Sequence, residues 1–157
     1  MRPLAAFLLL LLAASASAEE GLPSALALGA NYTGVQARLG LTRRTALEAR
    51  YQSGKSGDVT AGVFGARLYH FLRDAGRYRF FLGGELAAVS GDTKDRRYGT
   101  KGFAAGAFCG IETRPVKRIA IGVDAGPYLI ALKERRTKLT SSGLDFVLNT
   151  YAVFYLF

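Results

Sequence analysis

Tryptophan is absent from the 157-residue chain, and cysteine and histidine occur once each, as Cys109 and His70. A single cysteine excludes an intrachain disulfide and a cysteine metal cluster. A single histidine leaves base-activated hydrolysis with one candidate base. Beyond the first residues no stretch approaches 18 consecutive apolar positions, which excludes a transmembrane helix. No G-x-S-x-G, H-E-x-x-H or phosphate-loop pattern occurs. Proline is scarce, at 4, while glycine is abundant, at 19, and half the chain is hydrophobic. Acidic residues are in the minority, 12 against 21 basic ones. That balance suits an anionic partner but fixes neither fold nor function.

What the chain does have begins with a leader. Met1 and Arg2 precede an unbroken apolar run from Leu4 to Ala14, followed by Ser15-Ala16-Ser17-Ala18. One positive charge, a short apolar core and a small-x-small site predict a secretory signal peptide over 1–18. As a helix the run is too short for the ~30 Å hydrocarbon core. Glu19 and Glu20 follow where a lipoprotein carries cysteine. The expected mature chain, 19–157, is one domain with a formal charge of +8 once Arg2 is removed from the count.

Turn-forming and charged clusters then recur at short intervals, and no long segment has an apolar face at helical period. Eight strands are predicted, over roughly Ser24–Ala30, Thr33–Leu41, Thr45–Ser53, Asp58–Leu72, Arg77–Ser90, Thr100–Thr113, Arg118–Lys133 and Leu144–Phe157. The connections alternate. Those at Thr42–Thr45, Arg73–Arg77 and Arg114–Arg118 are tight. Those at Ser53–Gly57, Gly91–Gly99 and Glu134–Gly143 are on average longer and richer in Gly, Ser, Thr and charge, and only the first connection, near Asn31-Tyr32, breaks the rule. Short turns on one side and longer loops on the other predict an all-β, eight-stranded antiparallel up-and-down transmembrane β-barrel.

Parity within the strands sharpens this. Val35, Ala37, Leu39 and Leu41 share one face, and Gln36 and Arg38 the other. Leu47, Ala49 and Tyr51 oppose Glu48 and Arg50. Tyr78, Phe80, Leu82 and Leu86 oppose Arg79 and Glu85. Phe103, Ala105, Ala107, Cys109 and Ile111 oppose Glu112, and Ile119, Ile121 and Val123 oppose Asp124. Charge therefore gathers on one parity: Arg38, Arg50, Arg67 and Arg79 with Glu48, Glu85, Glu112 and Asp124. A soluble sandwich or barrel puts charge outside and apolar residues within. The matched set is expected inside, as an ion-paired plug, since eight strands leave an interior only wide enough for side chains. Gly102, Gly106, Gly110, Gly122 and Gly126 share the inward parity and are expected to give the long charged side chains room.

The chain closes on Tyr151, Val153, Tyr155 and Phe157, large residues on one parity, read as the lipid face of the last strand. With Tyr78 and Phe80, Tyr151 and Tyr155 are expected to form part of an interfacial aromatic girdle. Asn149, next back on the same parity, departs from the pattern.

On these residues the chain resembles the small eight-stranded bacterial outer-membrane barrels, such as outer membrane protein X and the transmembrane domain of outer membrane protein A. The resemblance implies location in the Gram-negative outer membrane and a monomer. It also implies a terminal signal at Tyr151, Val153, Tyr155 and Phe157 that the barrel-assembly machinery reads. Members of that family differ widely in role.

The functional expectation is a structural or surface-interaction protein, with no catalysis, cofactor, metal or nucleic-acid partner. Lys94, Arg96, Arg97 and Lys101 in the third outer connection, with Lys133, Arg135, Arg136 and Lys138 at the fourth, are the candidates for contact with lipopolysaccharide phosphates. The alternatives are a soluble periplasmic or secreted barrel holding an apolar ligand, and a lipid A-modifying barrel enzyme. For the last, His70 has no Ser or Thr within two positions and its parity points outward. Cys109 reads as a small hydrophobe on the lipid face, and the Asn31-Tyr32-Thr33 sequon as inert.

Overall fold

The structure, a computed structural model, describes residues 26–75, 77–93, 99–134 and 140–156. The proposed signal peptide, Lys94, Arg96, Arg97, Arg135, Arg136, Lys138 and Phe157 lie outside the described residues.

Eight strands follow one another: β1 (Leu26–Asn31), β2 (Gly34–Gly40), β3 (Thr45–Ser56), β4 (Val59–Ala75), β5 (Tyr78–Thr93), β6 (Gly99–Val116), β7 (Ile119–Glu134) and β8 (Thr140–Tyr155). Each pairs antiparallel with its neighbours in sequence, and β1 pairs with β8, so the sheet closes into an up-and-down barrel. The all-β, eight-stranded expectation holds. Strands β3 to β6 and β8 run longer than their predicted spans, and β7 keeps its length one residue further along. The Gly, Ser, Thr and charged residues assigned to turns continue the ladders, and the β3–β4 hairpin narrows to a turn at Gly57, whose φ of 57° suits glycine.

The barrel is strongly staggered. Following the register from Ala27 through Arg38, Glu48, Arg67, Glu85, Gly106 and Tyr128 leads to Asp145, yet Ala27 itself pairs with Tyr155, ten residues further along β8. Such a shear accompanies strands tilted by about 35–45°. Leu26 and Leu156 meet at one end, where the Leu156 N–H donates to the Leu26 carbonyl at 3.0 Å.

The parity argument holds for β2 to β7. Val35, Leu47, Phe64, Leu68, Tyr78, Phe80, Leu82, Leu86, Phe103 and Ile121 are exposed on the outside, while Arg38, Glu48, Arg50, Arg67, Glu85, Glu112 and Asp124 are buried inside. It is overturned for β8. Tyr151, Val153 and Tyr155 are 4%, 2% and 8% exposed and point into the barrel, so they are neither the outer face of the last strand nor part of a girdle. The outward residues are Leu144, Phe146, Leu148 and Phe154. Local composition near the end of β8 is apolar on both parities, so period alone could not orient it. Asn149 decides it, because it faces inward and opposes Asp124.

The inward glycines also behave differently from expectation. In direct cross-strand register, Gly122 opposes Tyr151, Gly106 opposes Tyr128, Gly110 opposes Phe81 and Gly83 opposes Phe108. At each of these glycines a Cβ would collide with the facing ring. The space therefore goes mainly to aromatic rings, which cover the exposed glycine backbone. At Gly65, an inward glycine outside the expected set, a Cβ would meet the Glu85 carboxylate. Tyr69, Phe71, Phe81 and Phe108 form an aromatic cluster in the half of the barrel nearer the termini, with Tyr69 stacked on Phe71 and edge-to-face with Phe81 and Phe108, at 5.3 and 5.2 Å between ring centroids.

Candidate functional site

Three arginines and four acids fill the middle of the barrel, because alternate positions of six different strands aim at one axis. Arg38 of β2 donates from Nε to Glu48 of β3 at 2.9 Å and from Nη1 to Glu112 of β6 at 2.6 Å. Arg50 of β3 makes a two-pronged pair with Glu85 of β5, at 2.8 and 2.7 Å, and donates to the Asn149 side-chain oxygen at 3.3 Å. Arg67 of β4 is the hub. Its guanidinium lies 2.7 Å from Asp124 of β7, 3.3 Å from Glu85 and 3.7 Å from Glu48. Four tyrosines and an asparagine add to the acids' shells, Tyr155 donating to Glu112 at 3.4 Å. Tyr69 donates to Glu48 at 3.0 Å, Tyr128 to Glu85 at 2.7 Å and Tyr151 to Glu112 at 3.2 Å, while Asn149 donates to Asp124 at 3.0 Å.

Burial makes these contacts strong and obligatory. A charge removed from water costs several kcal/mol, roughly, unless it is paired and its remaining lone pairs and protons are met. Aromatic faces assist: the Arg67 guanidinium sits 3.8 Å over Phe108 and that of Arg38 4.3 Å over Tyr69.

Seven of the eight residues assigned to the interior network are thus brought together. Arg79 shares their parity but lies at the mouth near the termini, half-buried, where it donates to the Arg43 carbonyl at 3.2 Å and stacks 3.9 Å over Phe71. Sequence reasoning missed Arg114, which it placed in a turn. β6 continues past it, so Arg114 keeps the inward parity of Glu112 and sits 3.7 Å from that carboxylate, over the ring of Tyr155. Between these mouth arginines is a cavity of about 20 Å³, lined in part by Arg38, Phe71 and Tyr155. It has room for roughly one water.

His70 is exposed on the outer face, as its parity predicts. The sheet does bring Thr45 directly opposite it, which sequence spacing could not show. Among the described residues the surrounding outward positions are Leu47, Leu68, Leu72 and Leu82, none of which carries a carboxylate to orient an imidazole. Cys109 is likewise exposed on the outside. Among the described residues no three His, Cys, Asp or Glu side chains are grouped to hold a metal.

Of the basic residues proposed for surface contact, Lys101 and Lys133 are described. Both are exposed on the outer face, far from the termini, and stand directly opposite each other across β6 and β7. Like charges in such register destabilise a sheet.

No protein-family model, no curated protein and no solved structure matches this chain.

Proposed function

We propose that the chain is an integral outer-membrane β-barrel with an ion-paired plug, serving a structural or surface-interaction role without catalysis. One observation carries the reading: the charge distribution is inside out. Arg38, Arg67, Glu48, Glu112 and Asp124 are essentially inaccessible, while large apolar residues cover the outside all round the ring. Such a surface far exceeds the few hundred Å², about, that a soluble monomer exposes. A barrel in lipid requires it, and closure satisfies the backbone that lipid cannot. A soluble barrel holding an apolar ligand at its centre is disfavoured by the charge found there.

On this reading the termini and tight turns face the periplasm. Lys101 and Lys133 stand at the outer rim of the apolar band, where a lipopolysaccharide phosphate bridging them would relieve their repulsion. The assembly-signal reading loses its lipid-facing premise at Tyr151, Val153 and Tyr155. The outward alternation of Leu144, Phe146, Leu148 and Phe154 is the better candidate for recognition by assembly machinery.

Carbonate washing of membranes tests the proposal. The protein should stay in the pellet and migrate faster unheated than boiled on a detergent gel. Release into the carbonate supernatant would reject membrane integration.

A further inference from the structure

The barrel wall is uneven. β1 ends at Asn31, opposite Tyr151, so among the described residues the eleven residues Thr140–Thr150 of β8 pair with β7 alone. On the other side β2 begins at Gly34, opposite Gln52, and beyond Ser53 the last residues of β3 pair with β4 alone. The Ser53 N–H donates to the Thr33 carbonyl at 3.0 Å, which marks the sill. Above the short β1–β2 hairpin the wall therefore has a notch, bounded by a free strand edge.

The inward face behind the notch, the chamber, is only partly covered. Two to four residues beyond Arg67 and Glu85, away from the termini, the inward positions change character. They include Val63, Ala87, Val89, Ala104, Ile130 and Leu132, four of these six only partly buried, while Gln52, Ser141 and Asp145 on the strands beside the notch share the inward parity. The floor is the polar layer of Arg50, Glu85, Tyr128 and Asn149. At the sill, Gln36 is 5% exposed and its Nε2 has no acceptor, and the neighbouring Asn31 Oδ1 has no donor.

The outside of the free edge is apolar as well. Leu144, Phe146 and Leu148 are 76%, 70% and 68% exposed. This edge thus runs through the apolar band, where unpaired backbone N–H and C=O groups are costly. An occupant must satisfy two demands: hydrogen-bonding groups for the edge and Gln36, and an apolar portion for the chamber. A lipid of the surrounding leaflet has both, in its ester, amide or hydroxyl groups and its acyl chain.

We propose that the notch is a lateral portal through which a neighbouring lipid lays an acyl chain into the chamber, its polar linkage bonding the free edge of β8. This rests on the membrane reading above. Antiparallel pairing of β8 with β8 of a second copy would require the two barrels to lie in opposite orientations across the bilayer.

The absence of tryptophan permits a direct test. Val89→Trp and Gly143→Trp each place one indole in the chamber, and at Gly143 nothing lies within 4 Å of an added Cβ. Leu86→Trp is the outward control, and Phe81→Trp the control in the packed inner core. Each is reconstituted into vesicles of phosphatidylcholine with brominated acyl chains. The chamber indoles should lose at least half the fraction of fluorescence that Leu86→Trp loses, with Phe81→Trp largely protected. Chamber indoles as protected from bromine as Phe81→Trp, whether open to aqueous acrylamide or covered by a peptide, would overturn the portal. An unquenched Leu86→Trp would instead reject the membrane reading itself.

Discussion

Arg38 and Glu112 bond at 2.6 Å across the full width of the barrel, since β2 and β6 are four strands apart in a ring of eight. The pair ties opposite walls together and is shielded from water on both sides. Arg38→Met should therefore lower the free energy of unfolding by ~3–5 kcal/mol, because it strands buried carboxylates. Arg38→Met with Glu112→Gln should cost less than the two singles added together, by at least ~1 kcal/mol. Urea unfolding in lipid vesicles, followed by gel mobility, gives the cycle. Additive losses would show that the pair is not coupled.

Arg67 touches three acids, whereas Arg79 sits at the mouth against a carbonyl and a ring. Arg67→Met should destabilise by ~3–5 kcal/mol, and Arg79→Met by about 1 kcal/mol or less, as for a solvent-screened contact. Equal effects at the two positions would contradict the burial assigned to Arg67.

The glycine–aromatic pairs make a steric prediction. Gly110→Ala meets the Phe81 ring and neighbouring backbone, and should cost ~1–3 kcal/mol by overpacking. Gly143→Ala, with open space around the added methyl, should change stability by no more than ~0.5 kcal/mol. Thermal unfolding in detergent separates the two.

Outward and inward positions should respond oppositely to charge. Leu86→Arg, at mid-wall on the outside, should cost ~2–4 kcal/mol in a bilayer, and Ala152→Arg, near the rim by the termini, about 0–1 kcal/mol. Val153→Arg places an unpaired charge in the core beside Ala152 and should abolish refolding. If Ala152→Arg failed to fold while Val153→Arg folded, the orientation of β8 assigned here would be reversed.

Lys101→Ala with Lys133→Ala should weaken association of the reconstituted barrel with lipopolysaccharide at least several-fold, and the wild-type interaction should fall with added salt. Unchanged binding in the double variant would place the anion contact elsewhere.

Much of the architecture is visible in one dimension. The alternation around Arg38, Glu48, Glu85, Glu112 and Asp124 is a period-2 signal, and side chains two apart share a face of any strand whatever lies beyond it. Strand number, the inward set and the outward placement of His70 and Cys109 all rest on that local rule. The parity of β8 was legible too, had the alternation of Leu144, Phe146 and Leu148 been carried forward through Asn149. The bulky residues at the end of the chain misled because both faces there are apolar.

Other features depend on register, which is a property of the closed ring. Nothing near Arg38 in sequence specifies Glu112, and nothing near Arg114 distinguishes a turn from a strand that continues inward. Rings over glycines, the ten-residue stagger and the notch above β1–β2 likewise arise only when eight strands of unequal length share one circumference. By itself the sequence determined which side of each well-patterned strand carries charge, because backbone pleating dictates that residue by residue. Which charges meet, what fills the space over the glycines, and where the wall stands open were decided by the tertiary structure, because barrel closure sets those distances between segments far apart in the chain.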